Sequence, residues 1–297
     1  MKSLLLLAWA MALASASGAW AQASADTERC GTASGTVDET IAACTRAVDS
    51  KQYSGANLAI LLNSRGISWR EKGYDDLALV DFDEAIRLDP NSAAAYTSRG
   101  NLHGDRGNND KAIADYNAAL ELNPKLAPAY SNRGLSWLAK GDHDRARSDL
   151  DAAIRLDPKM MDAWNNRGYL WRAKGDVQRA IADFSQVIRL DPKFPDAYDS
   201  LALIYSTSAD AGVRDGRRAL EMALKACELT GWKNAYYLNT LAAAHAEAGE
   251  YQQAAEWQAK ALALKAFSPA GEAAALERLK LYQAGKPYRE PPRAQSR

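Results

Sequence analysis

Four arginines and four aspartates recur in step along this 297-residue chain. Arg65, Arg99, Arg133 and Arg167 are followed, each after 16 residues, by Asp81, Asp115, Asp149 and Asp183. Two chemistries suit such a series. A row of guanidinium and carboxylate groups could hold or transform a charged ligand. Alternatively, each pair is a structural ion bridge, because partly buried charges are normally paired. The bridge is the favoured reading, since further along both charges vanish together: the matching positions hold Leu201 with Met222 and Leu241 with Trp257.

The other reactive residue types suggest little chemistry. His103, His143 and His245 have no second ligand at metal-binding spacing, so no metal is expected. No glycine-rich phosphate cradle and no pair of carboxylates demanding acid–base work is present, so no cofactor and no enzymatic activity is expected. The irregular stretch around Asp210, Arg214 and Asp215 is the one place where an enzyme site could be sought. Cys30 and Cys44 lie close together, while Cys227 stands apart and suits a packing role. In an oxidising compartment the near pair is expected as a disulfide; the alternative is two buried thiols.

The elements that carry these residues follow from a repeat of 34 residues. Prolines fall at 90, 124, 158 and 192; glycines at 66, 100, 134 and 168 and at 73, 107, 141 and 175; alanines at 78, 112, 146 and 180. Each unit reads as two helices. The first begins near Leu62, Tyr96, Tyr130 or Trp164, and carries a glycine one turn later. A glycine inside a helix costs about 1 kcal/mol relative to alanine, so its recurrence implies that a neighbouring helix comes close. The second glycine series ends the helix and turns the chain. The second helix carries a stripe such as Ala78, Phe82, Ala85 and Leu88, and Asp89-Pro90 and its counterparts stop it.

Trp164, Gly168, Trp171, Gly175, Ala180, Phe184, Leu190 and Pro192 together resemble the tetratricopeptide consensus. Arginine stands where leucine usually precedes the first glycine, and Val187 replaces a small alanine. The resemblance implies an all-α fold: a tetratricopeptide-type α-solenoid of about six helix-turn-helix repeats, wound as a right-handed superhelix, with an extra helix at each end. The repeats span 56–267 (about 59–92, 93–126, 127–160, 161–194, 195–234 and 235–267), and the fifth contains an insertion between Ser206 and Gly216. A capping segment with one helix is expected over 22–55, a capping helix over 268–285 and a disordered tail over 286–297.

The same resemblance implies a concave groove lined by polar positions of the first helices. Here those positions include Asn63, Asn132, Asn165, Asn166, Tyr169, Arg172, Asp199 and Asn239. An asparagine amide both donates and accepts, which suits the backbone of an extended peptide. The alternative is a solvated helix face that binds nothing. The lysine clamp of chaperone-binding relatives is missing, with Asn63 and Ile67 in two of its places.

Residues 1–21 read as a secretory signal: Met1-Lys2-Ser3, an apolar run from Leu4 to Ala14, and Ala19-Trp20-Ala21 as a cleavage site. Eleven apolar residues span only about 16 Å as a helix, too short to cross a bilayer. A periplasmic or secreted location follows, with no membrane span in the mature chain. Lys+Arg and Asp+Glu both number 37, so nothing favours nucleic acid. The expected function is an exported scaffold that holds a protein or peptide partner, or else an envelope-biogenesis or secretion accessory handling exported proteins. The sequence assigns no oligomeric state.

Overall fold

The computed structural model describes residues 25–32 and 35–291; the expected signal segment at 1–21 and the tail beyond 291 lie outside the described residues. Every regular element among the described residues is a helix. Contacts divide the chain into two units, Met1–Asp142 and His143–Arg297.

In the first unit a helical segment at 25–32 precedes α1 (Val37–Asp49), α2 (Gly55–Glu71), α3 (Asp75–Leu88), α4 (Ala93–Asp105), α5 (Asn109–Leu122) and α6 (Ala127–Ala139). The capping segment, expected to hold one helix, thus holds two helical pieces. The second piece is legible from a capping box, with Thr36 and Glu39 each bonding the other's backbone N–H. The first is held by tertiary contacts: Cys30 and Cys44 form a disulfide with their Cα atoms 4.8 Å apart, and Arg46 grips Asp26 through two hydrogen bonds of 2.9 and 2.6 Å.

The second unit contains α7 (His143–Leu156), α8 (Met161–Ala173), α9 (Val177–Leu190), α10 (Pro195–Thr207), α11 (Gly216–Leu229), α12 (Ala235–Glu247), α13 (Tyr251–Ala263) and α14 (Pro269–Gln283). Within each unit, consecutive helices pack on one another. In addition, first helices touch first helices, α2 on α4 and α4 on α6 in the first unit and α10 on α12 in the second, which aligns their faces within each unit.

Local chemistry sets these boundaries. Gly73, Gly107, Gly141 and Gly175 take φ of +83°, +72°, +78° and +76°, the left-handed turn that ends a helix without a Cβ clash. At the far end, the carboxylate or amide of Asp89, Asn123, Asp157 and Asp191 accepts the backbone N–H two residues on, beyond the proline, at 2.8–3.1 Å. That side-chain turn closes each second helix and starts the next hairpin.

The glycines inside the first helices mark tight crossings. A Cβ added to Gly66 would lie 2.6 Å from the Phe82 ring, at Gly100 2.8 Å from Tyr116, and at Gly168 2.6 Å from Phe184. Each ring fills the space that glycine leaves. The buried alanines Ala78, Ala112 and Ala180 serve the same close packing from the second helix. Apolar clusters run through both units, from Ala78, Phe82 and Leu102 in the first to Trp171, Phe184, Val187, Ala197 and Leu201 in the second.

The fifth hairpin's insertion is a folded loop. Asp215 caps α11 by accepting from Arg218 N (3.0 Å), and its own N–H reaches back to Tyr205 O (2.9 Å). Arg214 donates to Ser208 O at 2.8 Å and pairs with Glu247 at 3.3 Å, while Asp210 accepts from Gly212 N. All three residues singled out there hold backbone in place.

The tail departs from expectation. Residues 286–291, read as part of a disordered end, lie against the second unit, with Pro287, Tyr288, Arg289 and Glu290 partly buried. Composition pointed to disorder because the prolines bar a helix. Specific contacts with α8, α10 and α12 hold the segment instead.

Candidate functional site

The repeated arginines come first, because they fix the spacing of the first helices. Arg65 clasps Asp81 through two bonds of 2.8 and 2.7 Å, Arg99 clasps Asp115 at 2.9 and 2.7 Å, and Arg167 clasps Asp183 at 2.8 and 2.9 Å. Asp81, Asp115 and Asp183 are buried, so these are bidentate pairs largely withdrawn from water. Arg133 lies on α6, and Asp149 is buried on α7.

Each arginine also has a partner on the preceding second helix that the sequence reading missed. Arg99 Nη1 reaches Asp83 at 2.7 Å, Arg133 Nη1 reaches Asn117 at 2.6 Å, and Arg167 Nη1 reaches Asp151 at 2.7 Å. One guanidinium thus ties its own hairpin to the one before. Positions 83, 117 and 151 keep the 34-residue step, so the signal was present. A second row joins helix ends: Lys72 pairs with Asp38, Arg106 with Asp75 and Asp76, Lys140 with Asp110, and Lys174 with Asp144.

Two of the histidines stand beside carboxylates. His103 is buried 4.0 Å from Asp115, and burial lowers its pKa. His245 Nδ1 lies 2.6 Å from Glu250. Cys227 is buried, and burial pushes its thiol up to about 12.

The polar positions expected to line a groove fall into distinct environments. In the first unit, Asn132 on α6 donates to Asn101 Oδ1 at 2.8 Å, and Asn101 also accepts from the Tyr116 hydroxyl at 2.8 Å. That amide is engaged in joining α4 to α6. Asn63 on α2 is half-buried, with Oδ1 shielded and without a hydrogen-bond partner.

The second unit gathers the rest. Asn165, Tyr169 and Arg172 sit at i, i+4 and i+7 on α8 and so share one stripe. The Ser200 hydroxyl of α10 lies 3.4 Å from the Tyr169 hydroxyl, and Tyr169 packs edge-on against Phe184 with ring centres 5.3 Å apart. Asp199 on α10 occupies the position equivalent to Asn165, and Thr240 of α12 lies beside it. Asp196 accepts from the Tyr237 hydroxyl, tying α10 to α12. Asn166 is buried and Asn239 half-buried.

Two features of this cluster bear on binding. Asn165 Oδ1 and Asp199 Oδ1 are both shielded from water and lack any hydrogen-bond donor. Such acceptors cost free energy unless something supplies a hydrogen. Burial pushes the Asp199 carboxyl up to about 7, against the pull of the Thr240 hydroxyl and the Arg172 guanidinium.

The second feature is residues 286–291. Gly285, at φ +67°, reverses the chain after α14. Tyr288 then packs against the cluster of Ala242, Ala246, Ala254 and Tyr282, with the Arg278 guanidinium 4.3 Å from its ring centre. Arg289 pairs with Glu247 of α12 and donates to Ser206 O of α10 at 3.2 Å. Glu290 donates its backbone N–H to Thr207 O at 2.8 Å, and its carboxylate meets Arg172 of α8 at 2.7 Å. Sequence reasoning had no signal for these contacts, which join residues 83 and 118 positions apart.

Three family models match the middle of the chain: "Tetratricopeptide repeat" over 131–195, "TPR repeat" over 100–141, and a further "Tetratricopeptide repeat" over 82–114. No curated protein matches. Among solved structures, a tetratricopeptide repeat protein from Parabacteroides merdae superposes with a TM-score of 0.59 at 19% identity, covering 88% of this chain and 99% of that one. PilW, described as a type IV pilus biogenesis factor, gives 0.63 at 20% identity, covering 74% and 98%. PilF of Pseudomonas aeruginosa gives 0.63 at 20%, covering 77% and 97%. At these identities the likeness is one of fold. Repeat period, paired helices, family models and structural neighbours agree: the chain carries tetratricopeptide repeats and folds as a tetratricopeptide-type α-solenoid.

Proposed function

We propose that this chain is an exported scaffold that holds an extended segment of a partner protein on the first-helix face of its second unit. The observation that carries this reading is the pair of donorless acceptors, Asn165 Oδ1 and Asp199 Oδ1, at equivalent positions of consecutive repeats. A peptide backbone or a basic side chain supplies the hydrogens those oxygens lack. Arg172, on the same stripe of α8 as Asn165, adds a donor for a carboxylate. Export is supported by the signal-like residues 1–21 and by the Cys30–Cys44 disulfide, a bond that persists in oxidising compartments. No helix among the described residues is long and apolar enough to cross a membrane.

The test is capture from a periplasmic extract with the full chain and with a variant carrying Asn165→Leu and Asp199→Leu. One stoichiometric partner, lost with the double variant while circular dichroism shows it folded, supports the reading. Many weak clients would instead indicate an accessory factor for exported proteins, a role in the manner of the pilus biogenesis factors that share the fold. Capture unaffected by the double substitution overturns the assigned face.

A further inference from the structure

The chain already lays a non-helical segment of its own across the C-terminal ends of these first helices. Residues 286–291 (Lys-Pro-Tyr-Arg-Glu-Pro) behave as a bound peptide does. Prolines at both ends bar a helix and favour an extended backbone. One aromatic ring is anchored, one main-chain N–H meets a free carbonyl at a helix end, and two neighbouring side chains of opposite charge each find a partner on a different helix. The segment crosses the C-terminal ends of α12, α10 and α8 in that order, and it ends on Arg172.

From this we infer that the second unit recognises an extended peptide in which a basic residue is followed directly by an acidic one. Glu247 takes the base, Arg172 the acid, and Thr207 O the backbone N–H between them. Residues 286–291 are an internal ligand that covers the same contacts and must leave before a partner's segment can enter. This deepens the proposed function and rests on it.

The segment follows the last helix directly, so its local concentration is high. A tether of this kind presents its ligand at an effective concentration on the order of millimolar. For a free peptide whose intrinsic Kd is about 0.1 mM, the competition weakens apparent binding by roughly tenfold.

The experiment uses the full chain and a fluorescent peptide of sequence Lys-Pro-Tyr-Arg-Glu-Pro, read by anisotropy up to millimolar concentration. Wild type is compared with a variant carrying Arg289→Ala and Glu290→Ala, which releases the tail, and with that variant plus Arg172→Ala. Circular dichroism and melting show that each is folded. The inference requires about tenfold tighter binding by the released variant, and loss of that gain when Arg172 is removed. A peptide with Arg and Glu exchanged should bind at least several-fold more weakly. Equal binding by wild type and the released variant, or none by either, overturns the inference. Capture by the released variant separates the two proposals. A partner still retained through Asn165 and Asp199, without peptide binding, sinks this inference and leaves the scaffold standing; no partner for either form sinks both.

Discussion

Asp199→Asn is the substitution whose outcome follows most closely from the structure. The Asp199 side chain is half-buried on α10, with Oδ1 shielded and unpartnered, and this withdrawal from water raises its pKa from 3.8 to about 7. In the unfolded chain the group ionises near its ordinary value. A folded pKa above the unfolded one means that the native state holds the proton more tightly. The penalty is therefore absent below about pH 4, grows as pH rises, and is complete once pH passes the folded value near 7. At 1.36 kcal/mol for each pH unit, a shift of this size corresponds to about 4 kcal/mol at pH 8. Asparagine keeps the shape and cannot ionise. The variant should match wild type at pH 4 and melt roughly 10 °C higher at pH 8, taking 2–4 °C per kcal/mol for a unit of this size. Thermal unfolding followed by circular dichroism at both pH values is the assay. Equal destabilisation at the two pH values, or no difference at pH 8, would refute the burial argument.

Other predictions address the scaffold. Arg65→Leu strands the buried Asp81 carboxylate and should cost about 3 kcal/mol, whereas adding Asp81→Leu should recover much of it; additive losses in urea unfolding would exclude the pairing. Gly168→Ala should destabilise by about 2 kcal/mol despite alanine's better helix propensity, because its Cβ would meet the Phe184 ring at 2.6 Å; a gain in stability would contradict that crossing. Replacing Cys30 and Cys44 by serine opens a loop of 14 residues and should cost about 3 kcal/mol, and a reducing agent should then no longer alter the melting temperature. If the second unit's site takes a basic group at Asp199, affinity should rise between pH 6 and pH 8 as that carboxyl ionises; calorimetry in two buffers of different ionisation enthalpy should detect proton release.

Much of the scaffold was legible because its cause is local and repeated. Gly66 and Phe82, or Arg65 and Asp81, recur at fixed offsets, since every hairpin solves the same packing problem. Asp83 and Asp151 repeat too, yet their partners lie on the following hairpin, a relation that within-unit reading overlooks. Asn132 shows a different limit: its type suited a peptide backbone, but Asn101 one repeat earlier takes its amide. Residues 286–291 mark the far limit. Their composition reports only that they cannot be helical; what they touch depends on Arg172, Ser206, Thr207 and Glu247, which only the fold assembles.

The most direct measurement is a hydrogen-exchange footprint of a captured partner on the full chain. Slower exchange in α8, α10 and α12, with faster exchange at residues 286–291, is the predicted pattern. Protection confined to the second helices α9, α11 and α13, with the tail unchanged, would contradict the account.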